Sequence, residues 1–214
     1  ADRRSANDFK GMLPRLSEVL RLTREAAAIK AETFGCSPYD ALLDSYAADL
    51  KEAIPTGASA ENILATINHL LFAQLGYHGN EDNYYDPENS YLNRVMDRRT
   101  GNPISLCTMF LLVGGRLKLP IAGIGMSGHF LCRYQTTTEG FFIDAFNQGK
   151  LLSKAECVAY LRHTRDSFRE SDLAPVSPRR ILVRMCSNLF QIYTQLSHTE
   201  EMGRLRRYIV ALEK

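Results

Sequence analysis

The fold is decided by residues 102–146, NPISLCTMFLLVGGRLKLPIAGIGMSGHFLCRYQTTTEGFFIDAF. Asn102-Pro103 is a strong helix start, with Asn as the N-cap and Pro at the first helical position. Ile104 through Leu117 are almost wholly apolar, and a helix apolar all round is a buried one. Leu119-Pro120 ends it and β patterns take over. Residues 122–126 read as a short strand, 129–134 as a second that starts with His129, and 141–146 as a third holding Asp144. Thr136–Gly140 is a short turn, which predicts an antiparallel hairpin. A buried helix beside an antiparallel sheet is an α+β arrangement.

Working outward, residues 76–93 (GYHGNEDNYYDPENSYLN) show no sustained period and read as a long structured loop with a short helix near Leu92–Arg98. A functional loop and a surface excursion pinned by its tyrosines both fit. The chain before it reads helical: an amphipathic helix over 14–33 starting at Pro14, a break around Gly35–Pro38, and a second helix with Leu42, Leu43, Tyr46 and Leu50 on one face. A third runs from an N-cap at Ser59 through Leu75 and is ended by Gly76. Beyond the sheet, Ser153-Lys154-Ala155-Glu156 spells a capping box for a helix to about residue 163. Ser177-Pro178 opens a long helix with Ile181, Leu182, Met185, Leu189, Ile192 and Leu196 on its stripe, and Thr199 caps a last one. That final pair is similar to one helix-turn-helix unit of a tetratricopeptide array. Three regions are expected: helical 1–75, a core over 76–165, and a C-terminal helical hairpin over 166–214.

Composition narrows the function classes. The 214 residues carry 26 basic and 24 acidic side chains, a net charge of +2. A dedicated nucleic-acid binder needs a surplus of Lys and Arg, so none is expected here. No run of about 18 apolar residues exists, so no membrane partner is expected. Ala1-Asp2-Arg3-Arg4-Ser5 has no apolar stretch behind it and reads as no signal peptide, and the absent initiator Met reads as a trimmed chain. Five cysteines, at 36, 107, 132, 157 and 186, form no CxxC pair, which predicts reduced thiols and a cytoplasmic protein. The histidines at 69, 78, 129, 163 and 198 group neither with each other nor with cysteine, so no metal is expected. Gly123–Gly128 matches GxGxxG, but β-prone residues follow where a helix N-terminus is required, so no dinucleotide cofactor is expected.

His129 and Asp144 carry the candidate chemistry. Each sits among Phe, Leu and Ile, where an unpaired polar group is costly, so they are predicted to be hydrogen-bonded neighbours. Two roles fit such a pair: the base and orienting carboxylate of a nucleophile triad, or a plain tie between two strands.

Residues 79–152 resemble the SirB1 family, a bacterial branch of the transglutaminase-like superfamily also related to an F-box protein of animals. The resemblance rests on Gly79-Asn80, Tyr84-Tyr85-Asp86-Pro87, Asn89-Ser90-Tyr91-Leu92-Asn93 and the run from Arg98 to Leu106. It continues through Arg116-Leu117, Leu119-Pro120, Gly128-His129-Phe130-Leu131, Arg133-Tyr134, Phe142-Ile143-Asp144 and Phe146-Asn147. It implies a papain-like core, with a nucleophilic Cys at the start of a buried helix and His and Asp on neighbouring strands. His129 and Asp144 match the last two. The superfamily's Gly-x-Cys falls on Gly101-Asn102-Pro103, and proline attacks nothing.

Cys107, one turn deeper on the same helix face, is the remaining candidate nucleophile. At that depth it gains little from the helix terminus, whose field fades within a turn, and it also suits a core as a small apolar residue. Ser105 points about 200° away from Pro103 and reads as a cap or as bonded to the turn before it. Pro103 therefore favours a non-catalytic binding or regulatory module with a protein or peptide partner. The alternative is a cysteine peptidase, amidase or acyltransferase using catalytic Cys107, His129 and Asp144. A helical-repeat adaptor working through the terminal helices is a third reading.

Overall fold

A computed structural model describes residues 37–136, 140–164 and 168–214, with Glu25, Ile29, Glu32 and Gly35 singly ahead of them. The helix expected over 14–33 and Cys36 lie outside the described residues, those single positions apart. The chain divides into two compact units, Ala1–Asp49 and Leu50–Lys214. Helix α1 (Pro38–Ala53) starts in the first, with Leu42, Leu43 and Tyr46 buried as their spacing predicts.

The second unit holds everything that positions the site. Its helix α2 (Ala60–Asn68) is capped by Ser59, whose side chain accepts the Asn62 N–H. The single helix expected to Leu75 is instead an α-helix that widens into a π turn over His69–Gln74. Apolar spacing hides that change, because Leu71 stays buried across it. Gly76, at φ +73°, then turns the chain as only glycine does readily. The loop that follows contains the expected short helix, α3 (Leu92–Arg98). It also contains a 3-10 turn (Pro87–Asn89) and a parallel pair, β1 (His78–Gly79) with β2 (Thr100–Gly101). Two-residue strands carry no period and escape sequence reading.

Helix α4 (Pro103–Arg116) starts at Asn102-Pro103 and is buried along most of its length. Behind it lies an antiparallel sheet of β3 (Ile121–Gly125), β4 (Phe130–Gln135), β5 (Gly140–Asp144), β6 (Lys150–Leu152) and β7 (Pro175–Val176), in the order β6-β5-β4-β3-β7. The register pairs Cys132 with Gly123 on one side and with Ile143 on the other. Two boundaries differ from expectation. His129 stands just before β4 rather than in it, and β5 stops at Asp144 because a turn begins there, closed by Gly149 N–H to Asp144 O at 2.9 Å. The short strands β6 and β7 were not legible, for the same reason as β1 and β2.

Strand alternation sends Leu131 and Phe142 to one face of the sheet, where they pack with Ile124, Leu173 and with Cys157 and Leu161 of α5 (Lys154–Thr164). The Ser153–Glu156 capping box starts α5 as predicted: Glu156 Oε2 accepts the Ser153 N–H at 2.8 Å, and Ser153 Oγ accepts the Glu156 N–H at 3.2 Å. Helix α4 covers the opposite face, where Cys132 Sγ donates to Cys107 O at 3.4 Å. Helices α6 (Pro178–Gln195) and α7 (Thr199–Glu213) form the C-terminal hairpin. Its buried stripe is narrower than expected: Ile181, Met185, Leu189 and Ile192 are inside, while Leu182 and Leu196 are each 49% exposed. Leu182 is about 100° round the helix from Ile181, past the stripe's edge. Thr199 is the first residue of α7 and not its cap; His198 holds that position without a side-chain bond. Helices and one small antiparallel sheet share the chain, an α+β fold.

Candidate functional site

The site grows from the end of β5. Asp144 is the last residue of that strand, and His129 enters the neighbouring one, so the register brings the two side chains together. His129 Nε2 lies 2.9 Å from Asp144 Oδ2, which is the predicted pairing. A carboxylate only accepts, so Nε2 carries the proton in this bond. Asn147, in the turn after β5, donates to the same carboxylate through Nδ2 at 2.8 Å and through its main-chain N–H at 3.3 Å. Burial works to raise the Asp144 pKa, but the bonds from His129 and Asn147 together outweigh it and hold the carboxyl below its ordinary value. Aromatic rings fence the imidazole, Phe146 edge-on at 6.4 Å and Tyr160 tilted at 5.8 Å. Desolvation raises the Tyr160 pKa first, and the Asp144 charge adds to it.

Cys107 makes no hydrogen bond to either member of this pair. It has no exposed surface, and its Sγ donates to Phe130 O at 3.3 Å. By the pleat, Asp144 belongs to the sheet face of Phe142, whereas Cys107 bears on the other face at Cys132. Among the described residues, Cys107 bonds to no imidazole. The Cys132 thiol beside it is pushed up, by burial first and then by its bond with Cys107. Cys157 is likewise pushed up, to about 11, chiefly by burial.

The start of α4 is held by a network that sequence reading reached only in part. Asn102 accepts the Ser105 N–H through its side chain at 3.0 Å, and Ser105 Oγ accepts the Asn102 N–H at 3.0 Å, a reciprocal capping box. Ser105 thus caps, one of the two roles expected of it. The loop completes the arrangement. Ser105 Oγ donates to Asn89 O at 2.6 Å, and Asn102 Nδ2 donates to Ser90 Oγ at 2.8 Å. Asn89 in turn donates through Nδ2 to Asn83 O at 2.8 Å and to Tyr84 O at 3.2 Å, and accepts from Asn80 Nδ2 at 3.0 Å. The side chains of Asn89, Ser90, Asn102 and Ser105 are all buried, and these partners satisfy them. The asparagine density of 80–93 was the available signal; which asparagines turn inward is not encoded in spacing.

Gly101 has to be glycine here, since a Cβ on it would lie 2.6 Å from Ser105 Oγ. Gly101→Ala is expected to lower stability by about 2 kcal/mol, the usual scale of overpacking, read as the denaturant midpoint at constant slope. An unchanged midpoint would show that Ser105 moves aside without cost.

A cavity of about 340 Å³ borders Gly128, the residue before His129, and is walled by Tyr84, Asn102, Arg184, Asn188 and Gln191. Arg184 Nη2 donates to His129 O at 2.8 Å, and its guanidinium lies 5.4 Å from the centre of the Phe130 ring. Among the described residues, no three His, Cys, Asp or Glu side chains gather as metal ligands, and no helix is long and apolar enough to cross a membrane.

The chain resembles proteins in bacteria and animals. Residues 37–187 match the pattern that defines the transglutaminase-like superfamily. A UPF0162 protein of Xylella fastidiosa (strain 9a5c) is 34% identical over 206 residues, covering 94% of this chain and 72% of that protein. The F-box only protein 21 of Mus musculus is 33% identical over 139 residues, 61% of this chain but 22% of that much longer protein. A UPF0162 protein of Vibrio cholerae serotype O1 is 30% identical over 93 residues, 43% of this chain and 34% of that protein. No solved structure matches. With the superfamily's pattern matched over residues 37–187 and a relative matching along nearly its whole length, the chain belongs to the transglutaminase-like superfamily, alongside the UPF0162 proteins.

Proposed function

We propose that the protein is a binding module of the SirB1 type, which keeps the transglutaminase-like scaffold and its His129–Asp144 pair and engages a protein or peptide partner without acyl transfer. One observation carries this reading: where the scaffold would present a thiol, the helix starts with Pro103, and the nearest thiol, Cys107, is sealed and bonded to Phe130 O. A reactive thiol needs access and a base to take its proton; Cys107 has no exposed surface, and its Sγ donates to a main-chain carbonyl and not to an imidazole. The F-box relative supports a role in protein interaction. On this reading residues 76–165 are the core, the tetratricopeptide-like hairpin over 166–214 is an accessory surface, and the unpaired thiols Cys132, Cys157 and Cys186 suit a cytoplasmic setting. The competing reading, an enzyme acting through catalytic Cys107, His129 and Asp144, is favoured by the intact 2.9 Å dyad.

Alkylation of the native protein by iodoacetamide, with all five cysteines resolved by mass spectrometry, separates the two. Cys107 is expected to react more slowly than half-buried Cys186 and equally slowly in His129→Ala. Rapid modification of Cys107 that depends on His129 would overturn the binding reading in favour of the enzyme.

A further inference from the structure

We infer that the cavity bordering Gly128 is a carboxylate-recognition site in which Arg184 takes the anionic end of a peptide segment. The inference rests on the binding-module reading and names its ligand class. Arg184 is half buried, and among the described residues it forms no ion pair. Its neighbours are a main-chain carbonyl, the Phe130 ring, the Cys107 thiol, and the phenols Tyr84 and Tyr160, whose pKa values are raised, by burial first. A guanidinium withdrawn from water without a counter-ion is costly, and an incoming carboxylate removes that cost. The bond to His129 O and the stacking on Phe130 fix the plane of the guanidinium in advance, so little ordering is left for the ligand to impose.

The rest of the wall tells what is attached to the carboxylate. Asn188, Gln191 and Gln195 offer neutral amides, donors and acceptors together, which match the N–H and C=O groups of a peptide main chain. Tyr84 and Tyr85 supply flat apolar sides, their rings edge to face at 5.2 Å. At about 340 Å³ the space is at the small end of ligand sites, which suits a terminal residue or a single acidic side chain with its flanking amides. At the start of α4 Pro103 has no N–H and the Ser105 N–H is taken by Asn102, and among the residues lining the cavity Arg184 is the one charged side chain. Its full charge supplies the main attraction. On its other side Arg184 borders a second cavity with Arg180 and Glu213, but neither is ion-paired with it.

The test uses three probes on the full chain, followed through the backbone amide resonances of Gly128, Asn188 and Gln191 in the millimolar range. They are N-acetyl-trialanine as the free acid, the same peptide as its C-terminal amide, and the amidated peptide with aspartate in the middle. Saturable shifts with the free acid support the proposal and identify a chain terminus as the source; saturation by the aspartate peptide alone supports it and identifies a side chain. Loss of one charge-assisted contact is expected to weaken binding at least about tenfold in Arg184→Gln. Because that variant also loses the tie to His129 O, Gln191→Glu serves as a second. It leaves Arg184 in place, sets a negative charge on an exposed wall position, and is expected to weaken the acid by a similar factor. Equal saturation by the plain amide, no saturation by any probe, or undiminished binding in Gln191→Glu would overturn the proposal. The alkylation of Cys107 is measured with Arg184 in place and without any carboxylate ligand, so a slow Cys107 together with no carboxylate binding overturns this site alone.

Discussion

The Asn89→Ala variant is expected to unfold about 8–16 °C below the parent, the shift that a loss of about 4 kcal/mol gives a chain of this size. The figure follows from the groups left behind. Asn89 is fully buried, and its side chain makes three bonds: to Asn83 O, to Tyr84 O, and from Asn80 Nδ2. Truncation removes all three, and each stranded buried partner costs ~1–3 kcal/mol, reduced where water reaches the exposed loop. The damage also spreads. Asn89 O receives Ser105 Oγ and the Asn102 N–H, so a displaced loop uncaps α4 as well. Asp82→Ala, an exposed change in the same loop, should leave the midpoint where it was. A thermal melt followed by circular dichroism checks both. If Asn89→Ala melts with the parent, the loop does not hold the helix start.

Asp144→Ala should cost about 3 kcal/mol near neutral pH, since it strands the His129 N–H and both donors of Asn147 in a buried place. Its pH dependence is the sharper test. The folded carboxyl titrates below its ordinary 3.8. Such a group contributes stability that is complete above the ordinary value and is lost as pH falls through the lower folded value. The gap between parent and Asp144→Ala is therefore expected to be constant near neutrality and to shrink below about pH 4. Asp144→Asn should fall between them, because its amide can accept one bond but turns a donor toward the other partners. A gap that persists in acid would mean that the contribution of Asp144 is packing and not charge.

Much of this was legible in the chain, and the reasons are specific. Asn102-Pro103 announced α4 because cap chemistry is local, and Ser153–Glu156 announced α5 in the same way. The His129–Asp144 contact was legible because two polar residues embedded in apolar strands have few partners to choose from. What stayed hidden was short or distant. Strands of two or three residues show no alternation, and the π turn after Asn68 keeps the apolar spacing of a helix. Arg184 is 55 positions from His129, and nothing in the local pattern of α6 marks it out from Arg179 or Arg180. The width of the C-terminal stripe was overestimated because Leu182 and Leu196 satisfy a hydrophobic count without facing inward.

The rims of the sheet bear on assembly. β7 is two residues long and opens with Pro175, which has no N–H to offer an approaching chain; β6, at the opposite rim, has three residues and begins with exposed Lys150. Strand-by-strand growth needs a long, flat, unpaired rim, and neither end of this sheet supplies one. Fibril seeding and swapped dimers through the sheet are thereby disfavoured, and a partner recruited as a sixth strand would find almost no main chain to grip. At this sheet, recognition falls to side chains.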